Sequence, residues 1–315
     1  MQSIKKIIML IAGGLIILGL VIVFLAFALA GFNWHSFNTA LPDEEHIYSY
    51  DLAGVSSLSV SELDAEVLIV GSDEDNIKIT CSENKKDAYG IQLHANGELD
   101  INRSFYKHWY EYIGFNISNK KRTLTVSVPR SFSGEVDVNT MSGDLDLNNF
   151  DGINALNIST SSGQITITNV TANDYIKAST MSGDFALDTL HTGNEIELET
   201  SSGEIQVSNG EIAGNMTVSS LSGNIDLSDT QINGDSSFNS SSGEVRLNLF
   251  SAKNISVTTL SGDVEGRILG DPGNYTITAD SLSGTINIPQ SANGKNTFDM
   301  STSSGNIDIE FSSAN

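Results

Sequence analysis

The sequence predicts an all-β protein built as a parallel β-solenoid (a β-helix) with coils of about 20 residues, preceded by one N-terminal transmembrane helix. Between Thr140 and Ile309 one phrase recurs, of the form Thr/Ser-x-Ser-Gly-polar-apolar-x-apolar. Its glycines are separated by 20, 20, 20, 20, 20, 19, 22 and 21 residues, and they are Gly143, Gly163, Gly183, Gly203, Gly223, Gly243, Gly262, Gly284 and Gly305. A nearly constant period of this size is typical of stacked coils.

Apolar residues lie two positions apart on both sides of each glycine. The two columns that follow the glycine include Leu145 and Leu147, and the two that precede it include Leu156 and Ile158. Ser236 and Gly266 interrupt the pattern. Because alternate residues of a strand face the same side, we expect each repeat to supply two short strands, one on either side of a Ser-Gly corner.

The corner residues predict a sharp turn. Glycine tolerates the positive φ that tight corners often need, and it lets stacked backbones approach closely. The Thr or Ser hydroxyl three residues earlier, as at Thr140, can bond to neighbouring coils or to corner backbone groups left out of the strand ladder. Between these positions large and small side chains alternate: Met141, Ser161, Met181, Ser201, Leu221, Ser241, Leu260, Leu282 and Ser303. We expect this alternation to serve packing, and a two-coil structural super-repeat is the alternative.

The N-terminal 45 residues predict a membrane anchor. Residues 1–6 include two lysines, and residues 7–32 contain no charge, which is long enough for a helix across a bilayer. A cleaved signal peptide ending near Ala28-Leu29-Ala30 is the alternative, but its apolar core is usually shorter. The lysines place residues 1–6 in the cytoplasm, so residues 33–45 read as a tether and the remainder as an extracellular domain at the cell membrane.

The section from 46 to 139 has β patterning but lacks the 20-residue register. A strand-rich section of this kind is expected to cap the regular repeats of 140–315, because an open first coil would expose an unpaired edge. Its only dense aromatic cluster runs from Phe105 to Phe115. The cluster either covers the end of the core or binds a ligand, and in the second case Trp109, Tyr110 and Tyr112 are the candidate residues.

Composition excludes several function classes. A net charge of −23 disfavours nucleic acid and anionic lipid as partners. The single cysteine, Cys81, excludes an internal disulfide, and the repeats contain one histidine, His191, to serve nine equivalent serines. We therefore expect no enzyme activity and no cofactor. Outward acidic columns, such as the one at Asp144, predict a solvated face, with calcium binding as the weaker alternative because the glycine-aspartate nonapeptide of calcium solenoids is absent.

Residues 46–312 resemble a known family. The phrase Thr-x-Ser-Gly-Asp/Glu-Ile/Leu-x-Leu, the preceding strand that ends at Pro129 and the N-terminal apolar segment are similar to the bacterial "putative adhesin" β-strand-repeat family. Members of that family include proteins encoded beside cell-envelope stress regulators in Gram-positive bacteria. The resemblance implies a β-solenoid on the cell surface and supplies no catalytic residues.

Three functions are compatible with these features. The first is a non-enzymatic surface module for interaction or adhesion, binding cell-wall material or a membrane protein. The second is an accessory protein in sensing of cell-envelope stress. The third is a structural scaffold that self-associates end to end, suggested by a last coil whose edge only Phe311 covers.

Overall fold

The computed structural model describes residues 2–29, 43–85, 87–105 and 122–313. These residues belong to two compact units. One unit contains the helix α1 (Gln2–Leu29), and the other, built from Glu44–Glu83, Asp87–Ser104 and Lys121–Asn315, contains the strands. The predicted all-β parallel solenoid with coils of about 20 residues is confirmed.

The described strands form two sheets, and each coil contributes one strand to each. The first sheet contains, in spatial order, β1 (Glu44–Asp51), β4 (Asn76–Glu83), β7 (Thr123–Pro129), β3 (Glu66–Ser72), β9 (Leu145–Ile153), β11 (Ile165–Ala172), β13 (Phe185–Thr192), β15 (Ile205–Ile212), β17 (Ile225–Ile232), β19 (Val245–Ser251), β21 (Val264–Leu269), β25 (Ile307–Ser312) and β23 (Ile286–Asn287). The second contains β22 (Tyr275–Ser281), β24 (Asn296–Thr302), β20 (Asn254–Thr259), β18 (Asp235–Ser240), β16 (Met216–Ser220), β14 (Glu195–Thr200), β12 (Tyr175–Thr180), β10 (Ala155–Thr160), β8 (Glu135–Thr140), β2 (Ser57–Glu62), β6 (Glu98–Phe105) and β5 (Asp87–Leu93). Short 3-10 turns occupy Leu52–Gly54 and Pro272–Asn274.

The predicted transmembrane helix at residues 7–32 is not supported. Among the residues that the structure describes, no helix is both long and apolar enough to cross a bilayer.

The predicted inward columns form the core. Leu145, Leu147 and Leu156 are at most 1% exposed, and the equivalent apolar residues of the following coils are buried in the same way up to the end coil, where Ile286 is 43% exposed. The strands of the first sheet are longer than expected and supply a further buried column, which consists of Phe150, Val170, Leu190, Thr230, Phe250 and Ile268. Ser236, an exception in the sequence pattern, is buried with its hydroxyl donating to the carbonyl of Asn254 at 3.1 Å.

A single residue with positive φ bends each regular strand of the first sheet. These residues are Asn149, Asn169, Thr189, Asn209, Asp229 and Leu249, with φ between 48° and 63°. One left-handed residue shifts the alternation by one position, so the inward set passes from residue 147 to residue 150 instead of 149. Asn and Asp adopt this conformation at low cost, whereas a β-branched residue such as Thr189 is strained there.

Close approach of backbones accounts for the corner glycines. A Cβ added at Gly163 would lie 1.9 Å from the carbonyl oxygen of Gly143, and the same contact recurs along the ladder. The expected positive φ is absent, since Gly97 and Gly270 are the positive-φ glycines among the described residues. The predicted bond from hydroxyl to corner backbone is present: the Thr140 hydroxyl accepts the Gly143 N–H at 3.2 Å, and six further coils repeat it.

The last two coils do not stack in chain order. Strand β25, the last of the chain, lies between β21 and β23, and β24 likewise lies between β20 and β22. The Gly305 corner therefore contacts Gly262 on one side and Gly284 on the other. The idea that the C-terminal coil leaves an edge covered only by Phe311 was wrong, because that coil is internal. The outer edge belongs to β22, where the Ile277 N–H donates to the carbonyl of Ser291 at 2.8 Å.

The section predicted as an irregular cap continues the coil register. Strand β2 pairs in parallel with β8, which places Glu62 beside Thr140, and β3 pairs in parallel with β9. Strand β6 and strand β7 add a further coil on the outer side of β2 and β3. Beyond them, β4 and β1 run antiparallel and end the described stack.

A buried ion network replaces the Thr hydroxyl in these N-terminal coils. Arg103 donates to both carboxylate oxygens of Asp87 at 2.8 Å and to Glu62 at 2.7 Å. The side chains of Arg103 and Glu62 are 1% and 0% exposed. Arg122 also pairs with Asp87, and the Tyr89 hydroxyl donates to Glu62. Burial raises the pKa of Asp87, but hydrogen bonds and charge from Arg103 and Arg122 outweigh burial and hold that pKa below its usual value.

Candidate interaction surface

The alternating corner residues are exposed, which makes the packing prediction wrong. The five large side chains are 58–87% exposed, and they are Met141, Met181, Leu221, Leu260 and Leu282. We call these five residues the corner ridge. Neighbouring members lie two coils apart, about 10 Å at about 4.8 Å for each coil. Because serine occupies this position in the coils between them, the arrangement is the two-coil super-repeat that was the alternative.

The order of the last coils makes this alternation continuous. In the sequence the pattern breaks where Leu260 is followed by Leu282 and then by Ser303. In the stack, Ser303 lies between the two leucines, because β24 lies between β20 and β22. Large and small side chains therefore alternate without a break along nine coils of the corner.

The residue after each corner glycine follows a two-coil pattern over most of the stack. The carboxylate of Asp144 accepts the backbone N–H of Gln164 at 3.2 Å, and Asp184 accepts that of Glu204 at 2.9 Å. Asn224 repeats this contact with Glu244 at 3.0 Å. The Asp or Asn that accepts this hydrogen bond thus belongs to a coil with a large ridge residue. The Gln or Glu whose N–H donates belongs to the following coil, which has serine at the ridge position. Two coils form one unit of this surface.

A shallow groove of about 740 Å³ runs beside the corner ridge on the outer face of the second sheet. Its floor carries one polar side chain from each of six neighbouring coils: Ser159, Ser179, Glu199, Ser219, Asn239 and Thr258. We call this the hydroxyl groove. Met181, Leu221 and Leu260 of the ridge form part of its lining, and Glu199 is the one ionisable residue among its described lining residues. Over six coils the groove is roughly 24 Å long.

Charged side chains lie farther from the ridge on the second sheet. The Lys177 ammonium pairs with Glu195 at 3.0 Å and with Glu197 at 3.2 Å, and it lies 5.4 Å from the Tyr175 ring centroid. Burial, together with the nearby charge of Glu135, raises the pKa of Asp137. This part of the face holds its charges in local pairs, whereas the hydroxyl groove is almost uncharged.

The outer face of the first sheet is acidic. Arg246 pairs with Asp226 at 2.8 Å and with Glu244 at 2.7 Å, and it accounts for much of the local neutralisation. Among the described residues, no group of three or more His, Cys, Asp and Glu side chains is arranged to hold a metal ion. His191 lies 3.3 Å from Glu211 of the next coil.

The sequence-predicted binding residues Trp109, Tyr110 and Tyr112 lie outside the described residues. Sequence reasoning did not find the corner ridge as a site, although it recorded the alternation that builds it. A large apolar residue at a corner usually indicates packing, and only the exposed fraction distinguishes the two cases. The break at Leu282 was the one signal that large and small residues alternate in the spatial order of the coils and not in their order along the sequence.

Comparisons with known proteins find one family model and several solved structures that are similar to this chain. Residues 55–310 match the family model described as Toastrack DUF4097. A putative lipid binding protein from Parabacteroides distasonis is 18% identical, covering 82% of this chain and 97% of that chain, with a TM-score of 0.46. A putative adhesin from Bacteroides fragilis is 11% identical, covering 84% and 97%, with a TM-score of 0.41. A putative cell adhesion protein from Clostridium sporogenes is 12% identical, covering 86% and 100%, with a TM-score of 0.25. No curated protein matches the chain.

Proposed function

The chain belongs to the Toastrack DUF4097 family, and we propose that it is a non-enzymatic surface module for interaction, with the corner ridge as its contact surface. The observation that carries the proposal is the exposure of five large apolar side chains in one row. Serine at the same position of the intervening coils is compatible with the corner, so the fold does not need Met or Leu there. An exposed apolar row that the fold does not need favours a contact with a partner.

The shape of this surface suits an extended partner. The ridge spans nine coils, roughly 38 Å, and the same chemistry repeats every two coils. Each repeat offers a small apolar contact beside hydroxyl and amide groups. Contacts of this kind are individually weak, and their number gives the affinity when the partner is long enough to engage several at once.

Location outside the cell and the absence of catalysis are part of the same proposal. The net charge of −23 keeps such a rod soluble and disfavours anionic partners. The corner serines repeat in every regular coil, and such uniformity is typical of a structural device and not of a catalytic centre. Cell-wall material without strong negative charge is therefore the partner that we place first.

A double substitution on the corner ridge tests this function. We expect Met181→Ser with Leu221→Ser to weaken binding of the full chain to its own cell-wall material by about tenfold, because apolar contact area is lost. The serines of neighbouring coils indicate that the fold accepts both changes. Binding is measured by co-sedimentation, with a mild detergent present because Leu15 and other side chains of α1 are exposed and apolar.

The matched control is Ile47→Ser, which removes an exposed apolar side chain of 58% exposure outside the ridge. It should bind as the unchanged chain does. Equal binding by the ridge variant and the unchanged chain would contradict the proposal. Loss of binding only when Trp109, Tyr110 and Tyr112 are changed to alanine would move the site to the predicted aromatic cluster.

A further inference from the structure

We propose that the hydroxyl groove and the adjoining corner ridge bind an uncharged, linear, β-linked glycan along the axis of the solenoid. This inference rests on the proposed interaction function and names the chemical class of the partner. The groove crosses several coils and continues along the stack, so it suits the interior of a polymer better than a small molecule. The ridge and groove lie side by side and would contact the same strand of ligand.

The hydrogen-bonding groups of the groove repeat once for each coil. Ser159 lies directly opposite Ser179, and Ser219 lies directly opposite Asn239, in the parallel register of the second sheet. The step from one group to the next is therefore about 4.8 Å. One sugar of an extended β-linked chain has a similar length, so each coil would meet one sugar. Short hydroxyl and amide side chains both donate and accept, as recognition of sugar hydroxyls requires.

The ridge repeats once for every two coils, which matches a second property of such glycans. In an extended β-1,4-linked chain each sugar is turned over relative to the one before it. Equivalent C–H surfaces therefore recur on one side at every second sugar. Met181, Leu221 and Leu260 border the groove with this period. Each would contact the C–H surface of one sugar, and together they would contact every second sugar of the chain. A groove with apolar side chains and a few placed polar groups is the usual composition of a ligand site.

Electrostatics select an uncharged polymer. Glu199 is the one ionisable residue of the described groove lining, and Lys and Arg are absent from that lining. An anionic polymer would meet no cation in that lining, because the nearby Lys177 lies outside it and is already paired with Glu195 and Glu197. The polymer would also approach a molecule of net charge −23. A second copy of the chain would bring together two molecules that each carry a net charge of −23, which favours a neutral glycan over self-pairing as the occupant of this groove.

Titration calorimetry of the full chain with β-1,4-linked N-acetylglucosamine and glucose oligomers tests the inference. The six coils of the groove predict that affinity rises with chain length and then levels off near about six sugars. Polymannuronate, an anionic linear β-1,4-linked glycan, should bind at least tenfold more weakly than the best neutral oligomer. The inference is overturned if neither of the two neutral series binds with an affinity that depends on chain length.

A matched pair of substitutions localises the binding. Ser219→Glu places a carboxylate in the groove floor beside Glu199. Because Glu199 occupies the equivalent position of the neighbouring coil, the fold accepts a glutamate there. Thr217→Glu places the same group two residues away on β16, beside Glu197 and outside the described groove lining. We expect Ser219→Glu to weaken oligomer binding at least fivefold and Thr217→Glu to leave it unchanged. Equal effects of the two would overturn the assignment to the groove.

The outcomes also separate this inference from the proposed function. If the chain binds wall material through the ridge but binds no neutral oligomer, the interaction function stands and the glycan assignment fails. If the ridge variant fails to alter wall binding, the interaction function fails by itself. If Met181→Ser changes the oligomeric state of the protein in sedimentation and no sugar oligomer binds, the ridge pairs two copies of the chain and the glycan assignment is overturned.

Discussion

We expect Gly223→Ala to destabilise the solenoid by about 3 kcal/mol or more, the largest effect of any single added methyl group in the regular coils. The added Cβ would lie 1.6 Å from the carbonyl oxygen of Gly203 and 2.5 Å from its carbonyl carbon. Both atoms are backbone and form the neighbouring coil, so neither can move without breaking the stack. The midpoint of urea unfolding, followed by far-ultraviolet circular dichroism, measures the effect.

Gly152→Ala is the matched control for this substitution. Its added Cβ would come no closer than 3.6 Å to the amide nitrogen of Asn173, an ordinary contact with a side chain. We expect its unfolding midpoint to stay close to that of the unchanged chain. If Gly223→Ala proved as mild as Gly152→Ala, the close approach of stacked corners would not be the reason for glycine at this position.

Removal of the buried guanidinium should have a comparable effect. We expect Arg103→Met to destabilise the N-terminal coils by about 3–5 kcal/mol, because the carboxylates of Glu62 and Asp87 would stay buried with their main partner gone. Arg246→Met is the control, since the Arg246 side chain is 46% exposed and an exposed pair contributes about 0–1 kcal/mol. Urea unfolding of both variants measures the difference, and equal midpoints would contradict the stabilising role of the network.

The same network predicts how stability depends on pH. The folded-state pKa of Asp87 lies below its unfolded value of about 3.9, so its carboxylate stabilises the fold fully above that value. This stability is lost as the pH falls through the unfolded value towards the folded one. The unchanged chain should therefore lose stability below about pH 4, and Arg103→Met should show a shallower loss. A steeper loss of stability in the variant would contradict the assignment of a lowered folded-state pKa to Asp87.

Much of the fold could be predicted because the two-residue period of the strands identifies the core residues directly in the sequence. Residues such as Leu145 and Leu147 alternate with polar residues, and they are buried as that alternation requires. The column at Phe150 was missed because the left-handed residue at Asn149 shifts the alternation by one position, and a search for a period of two stops at that point. Recurring Asn at 149, 169 and 209 was the available signal, since Asn adopts positive φ at low cost.

The order of the last coils could not be predicted from local patterns. The sequence has the same alternation of apolar residues in both coils, Ile286 and Ile288 in one and Ile307 and Ile309 in the other, so this pattern does not decide which coil follows β21. The choice depends on how the segment after β23 returns along the edge of β22, where Thr276 donates its hydroxyl to the carbonyl of Gly294 at 3.0 Å. That contact joins residues 18 positions apart in sequence and has no periodic signature.

The candidate site was harder to predict than the fold because its evidence is exposure. Met181 and Met216 are both apolar residues of the regular coils, yet Met181 is 62% exposed and Met216 is fully buried. A repeat pattern places both at defined positions, but only the path of the corner decides which of them faces solvent. The aromatic residues at 109, 110 and 112 stay a prediction, since they lie outside the described residues.

Methionine oxidation offers the most direct test that the corner ridge is the contact surface, because it needs no substitution. Met141 and Met181 are 58% and 62% exposed, whereas Met216 and Met300 are at most 2% exposed and serve as internal controls. The full chain is treated briefly with dilute peroxide, free or bound to its cell-wall material, and sulfoxide at each methionine is measured by mass spectrometry. We predict that binding slows oxidation of Met181 at least severalfold while Met216 and Met300 stay unreacted in both states. Equal oxidation of Met181 in the free and the bound chain would contradict the account.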